Sequence, residues 1–85
     1  MTDSQIYQNY QAAFDYRAMA REAAREREIL QGRLRARKRE GPKSPDKEQV
    51  WLQENRILYS MYLEQRANEI AFSRRAGWRE KRGAI

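Results

Sequence analysis

Apolar residues return at every third or fourth position along most of this chain. From Ile6 the step runs through Ile6, Asn9, Ala13, Tyr16, Ala20, Ala23, Arg27, Leu30 and Leu34, and seven of those nine are apolar. Such a period is the seam of an amphipathic helix. The middle of the seam is alanine, so a facing helix can come close there while burying little apolar area. The oxygens of Thr2, Asp3 and Ser4 offer N-caps, and no proline interrupts the chain before Pro42. A first helix is predicted over 4–40. Gly32 is its soft point, because glycine costs about 1 kcal/mol against alanine inside a helix and can mark a bend.

Gly41-Pro42-Lys43-Ser44-Pro45 reads as a stop followed by a start. Glycine ends helices, and proline disfavours helical geometry in the residue before it. Ser44 and Pro45 suit an N-cap and a first helical position, with Asp46 and Glu48 in the positive first turn. The turn is predicted over 41–45, a second helix over 46–75 and a basic tail over 76–85. A connection this short favours antiparallel neighbours. The predicted fold is therefore all-α, an antiparallel two-helix hairpin in one domain over 1–85. A pivot near residues 43 and 44 puts Tyr10 beside Gly77 and Arg33 beside Glu54, in a rod about 52 Å long at 1.5 Å per residue.

The second helix carries two apolar stripes. One is Trp51, Leu58, Met61, Gln65, Asn68 and Phe72; the other is Leu52, Tyr59, Leu63 and Ile70. Around Ile57–Leu63 it is apolar almost all the way round, which calls for cover on more than one side. The first helix covers one stripe. The second, with Trp51, Leu52, Tyr59, Tyr62, Leu63 and Ile70 as its interface residues, calls for a second copy of the chain, as in a dimeric four-helix bundle, or for another protein.

Charge adds a partner class. The chain of 85 residues carries 18 Lys and Arg against 12 Asp and Glu, a net +6. The cations gather in two places: Arg33, Arg35, Arg37, Lys38 and Arg39 at the predicted loop end, and Arg74, Arg75, Arg79, Lys81 and Arg82 at the open end. Cations at helix C-termini oppose the helix dipole, and many such ends are merely solvated. The open-end cluster, however, holds a single acid, Glu80, and encloses Trp78, a combination suited to gripping phosphates and stacking a base. The other role for Trp78 is packing against Tyr7 and Tyr10 across the hairpin. Tyr7, Tyr10, Phe14 and Tyr16 read first as a packing cluster. Arg27, in the seam, either pairs with Glu64 or packs its stem and sends its head to solvent. Gln65 and Asn68 read as polar residues that set register.

The same composition closes other routes. There is no cysteine and no histidine, so disulfides and the usual zinc or haem ligand sets are absent. No metal or other cofactor is expected. No phosphate loop, metalloprotease or calcium-loop spacing occurs, and the serines have no histidine to activate them. No catalytic residues are predicted; the chain reads as a non-enzyme. The polar N-terminus is unlike a secretory signal, and no apolar run reaches membrane-spanning length, so an intracellular, cytoplasmic location is expected. The leading expectation is a small accessory protein that binds RNA or DNA through phosphate contacts, using Arg74, Arg75, Trp78, Arg79, Lys81 and Arg82, with Arg35, Arg37, Lys38 and Arg39 as a second contact. The alternative is a protein-interaction adaptor or inhibitor working through the apolar belt of the second helix.

Overall fold

The computed structural model describes residues 2–83. Two helices, α1 (Asp3–Glu40) and α2 (Glu48–Gly83), lie side by side, joined by a short link with a 3₁₀ turn at Pro45–Lys47. The hairpin prediction holds. The rod measures 65 × 15 × 13 Å, and α2 does not stop at Arg75. The expected basic tail is helical through Gly83; Ala84 and Ile85 lie outside the described residues.

Local chemistry explains each boundary. Thr2 caps α1 in a reciprocal box: its hydroxyl accepts from the Gln5 N–H at 3.2 Å, and the Gln5 side-chain oxygen accepts from the Thr2 N–H at 2.9 Å. At the other end Gly41 has φ 67° and ψ −176°, a conformation that is essentially reserved for glycine. Its N–H closes the helix by donating to the Arg37 carbonyl at 2.9 Å. Pro45 opens the 3₁₀ turn behind Ser44. The Ser44 hydroxyl bonds the Asp46 carboxylate and, together with the Asp46 backbone, holds it below the usual carboxylate range. Gly32 does not interrupt α1, which is continuous through it.

Two glycine substitutions should therefore act in opposite directions. Gly32 is exposed, with open space where a Cβ would stand. Gly32→Ala is expected to stabilise the hairpin by about 0.5–1 kcal/mol in denaturant melts. Gly41→Ala also finds open space, but its backbone is strained for any L side chain, so a loss of about 1–3 kcal/mol is expected.

The helices meet along two complementary seams. On α1 the seam continues the predicted series from Ile6 to Leu34 and adds Arg37. On α2 it runs Trp51, Asn55, Leu58, Tyr62, Gln65, Glu69, Phe72, Ala76, Arg79 and Gly83, all half-buried or buried. Both step by alternating threes and fours, the heptad spacing of a two-stranded coiled coil. Met61, expected in the facing stripe, lies on a flank and is exposed. The buried residues are small: Ala13, Ala20, Ala23 and Ala76, with Leu30 the largest. Tyr16 stacks on Phe72 at 6.4 Å between ring centroids, and the Arg79 guanidinium donates to the Asn9 side-chain oxygen at 3.0 Å. These contacts set the axial register within a residue of the predicted one.

Long side chains reach further. Helical side chains lean toward their own N-terminus, and in an antiparallel pair both helices therefore lean past the residue directly opposite. Tyr10 accordingly meets Gly83 rather than Gly77, and Arg37 rather than Arg33 meets Glu54. The same lean corrects the expectation for Arg27. Its partner is Glu69, at 2.6 Å in the seam, and not Glu64, which points outward from a flank and is exposed. Nor does the Arg27 head simply extend to water.

Candidate nucleic-acid interface

Seam position fixes which way every other residue faces. Residues one step after a seam position share one flank of the rod, and residues one step before share the opposite flank. The first flank carries Arg17, Arg21, Arg35, Lys38, Arg56 and Arg66 against only Glu28 and Glu80. The second carries Asp15, Glu22, Glu26, Glu54 and Glu64 against Arg33, Arg75 and Arg82. Charge is thus divided across the rod, with a basic face and an acidic face, besides the cation clusters at its two ends.

The division is sharper than the counts suggest. Both acids of the basic face are taken by arginines. Glu80 accepts two bonds from Arg17, at 2.8 and 3.0 Å, and Glu28 lies 3.9 Å from Arg27. Arg21, Arg35, Lys38, Arg56 and Arg66 form no ion pair among the described residues and are exposed. The hydrogen bond from Arg17, with its charge, outweighs desolvation and holds the Glu80 carboxyl below the usual range. A depressed carboxylate pKa contributes stability above the ordinary glutamate value of about 4.3, and that contribution is lost as pH falls through the folded-state value. Carboxyl-detected NMR titration should find Glu80 titrating low, and Arg17→Ala should return it to the ordinary range.

Two concavities open on this face. Near the loop end, a groove of about 570 Å³ is lined by Leu34, Arg35, Lys38, Trp51, Leu52, Arg56, Tyr59 and Tyr62 among others. Tyr59 and Tyr62 stack there at 6.0 Å. The second continues along α2 through Arg66, Ile70, Ser73 and Arg74. Residues expected to serve two separate roles therefore line one surface. Arg35 and Lys38 share a groove with Trp51, Leu52, Tyr59 and Tyr62, while Leu63 and Ile70 stand exposed on the same flank.

Not every predicted contact residue is available. Arg37 is spent inside the hairpin: its guanidinium donates to Asn55 at 2.6 Å, Glu54 at 2.7 Å and the Trp51 carbonyl at 3.4 Å. Arg79 is held by Asn9 and lies over the Trp78 ring at 5.0 Å. Arg82 covers the same ring at 4.6 Å, and Arg75 lies 6.0 Å over Tyr16. Trp78 therefore packs under arginines rather than against Tyr7 and Tyr10, and it stays 50% exposed on the acidic face. Arg39, Arg74 and Lys81 are exposed on the outer edges.

The N-terminal aromatics are the largest departure. Only Tyr16 packs. Tyr7, Phe14 and Tyr10 are 69%, 65% and 53% exposed and line up on the basic face. The sequence signal was their spacing: they sit one place off the seam series, which the aromatic count alone hides.

Among the described residues, no group of acids is placed to hold a metal ion, and no helix is long and apolar enough to cross a membrane. Comparison with protein-family models, with characterised proteins and with solved structures finds no match to this chain.

Proposed function

We propose that this hairpin is a non-catalytic nucleic-acid-binding protein that grips RNA or DNA along its basic face, through phosphates and with little base specificity. The carrying observation is the run of unpaired cations there: Arg21, Arg35, Lys38, Arg56 and Arg66, beside acids already occupied by arginine. Arginine's planar fork suits phosphate oxygens, and a one-sided cationic stripe is the electrostatic footprint of polyanion binding. Arg74 and Lys81 extend the stripe along the edge of α2. Binding of a mixed-sequence oligonucleotide should weaken steeply between about 50 and 200 mM salt. Affinity that stays level over that range removes the proposal.

A protein partner is the second reading, favoured by exposed apolar area. The surface of 6831 Å² exceeds the roughly 5,300 Å² of a compact monomer of this mass. Tyr59, Leu63 and Ile70 contribute to the excess on α2. A second copy covering that belt would raise the solution mass of the purified chain with concentration. Tyr59→Ser with Leu63→Ser would weaken that association without removing a cation from the basic face or adding a carboxylate to it.

A further inference from the structure

The aromatic row at the open end is largely exposed, and one member is held in place. Tyr7, Tyr10 and Phe14 step by three and four along α1, so their rings rise about 4.5 and 6 Å from one to the next. Tyr10 is the fixed one. A Cβ placed on Gly83 would stand 3.4–3.5 Å from three atoms of its ring, Cδ1, Cε1 and Cζ. Near-equal distances to three ring atoms mean that the ring turns its flat face, not its edge, to that glycine. Gly83 is buried and brings bare backbone against one side of the ring, and Tyr10 as a whole stays 53% exposed. The flanking rings of Tyr7 and Phe14 are more exposed still. The row leads along α1 to Arg21, which has no acid partner.

Duplex and single strand ask different things of such a surface. A duplex keeps its bases stacked inside and offers phosphates to cations, so exposed rings gain nothing from it. A single strand has unstacked bases that find flat aromatic partners while cations follow the backbone. We infer that the nucleic acid taken by this face is single-stranded, with Tyr10, backed by Gly83, and its neighbours Tyr7 and Phe14 forming a base-stacking platform at the open end. This rests on the nucleic-acid reading above and names the form of the ligand.

The test compares oligo(dT), oligo(U) and a duplex, each of about 20 nucleotides per strand, in anisotropy titrations of the full chain at low salt. Either single strand is expected to bind at least roughly tenfold tighter than the duplex, and the better of the two separates DNA from RNA. Phe14→Ala and Tyr10→Leu should each weaken single-strand binding roughly tenfold, with the salt slope and duplex binding unchanged. Tyr10→Leu keeps apolar bulk against Gly83 without a ring, and circular dichroism confirms that the hairpin is retained. Duplex binding as tight as single-strand binding, or ring variants that bind like the parent, overturns this inference and leaves the broader proposal standing. No salt-dependent binding to any of the three overturns both.

Discussion

Alanine at Arg35, Lys38, Arg56 and Arg66 together is expected to weaken oligonucleotide binding about 100- to 1000-fold near 0.1 M salt and to flatten the log–log salt slope by about three. Each phosphate contact contributes about 0.7 to 0.9 to that slope, so four lost contacts act multiplicatively. All four side chains are exposed and form no ion pair among the described residues, so the fold should survive their removal. The informative control takes cations from the other flank. Arg33, Arg75 and Arg82 replaced by alanine should cost less than about tenfold, because these side chains stand among acids or over aromatic rings on a face that repels phosphate. Equal losses from the two sets would mean that net charge, not the face, drives binding.

Leu30→Ala is expected to be the most damaging single core change. Leu30 is 5% exposed, and the other buried seam residues are alanines and Gly83. The register set by Tyr16 and Phe72 places it level with Leu58, where the two seams contribute leucines rather than alanine or polar groups. Leucine-to-alanine changes in packed sites cost about 2–5 kcal/mol. A chain of this length holds roughly 4–13 kcal/mol in all, so the loss is a large share. A fall in Tm of roughly 10–30 °C should follow, read by circular dichroism. Met61→Ala, on an exposed flank, should move stability by no more than about 0.5 kcal/mol.

The seam of α1 was legible because its signal is periodic and local: the third-and-fourth-residue series from Ile6 to Leu34 is the packed one. The turn was legible for a similar reason, since Gly41 and Pro45 act through their own backbone constraints. The end of α2 was not. Residues 76–82 look like a basic tail in isolation, and what keeps them helical is tertiary: Arg79 on Asn9, Glu80 on Arg17 and Gly83 under Tyr10. The site was harder to read than the fold. Charges adjacent in sequence, such as Arg35 and Arg37, point in different directions on a helix. Arg35 stands on the basic face, while Arg37 turns into the seam and is consumed by Glu54 and Asn55. Clusters read along the chain thus merged residues that geometry separates. Arg56 and Arg66, solitary in the sequence, join the face only once the seam is known.

With its cations and carboxylates on opposite flanks of a body only 13–15 Å through, the molecule has an electric dipole perpendicular to its length as well as the opposed dipoles of its helices. Near a polyanion that field exerts a torque about the long axis, so the rod rolls before it touches and arrives lengthwise instead of end-on. In the proposed complex the acidic face would point away from the strand and present carboxylates to any second polyanion.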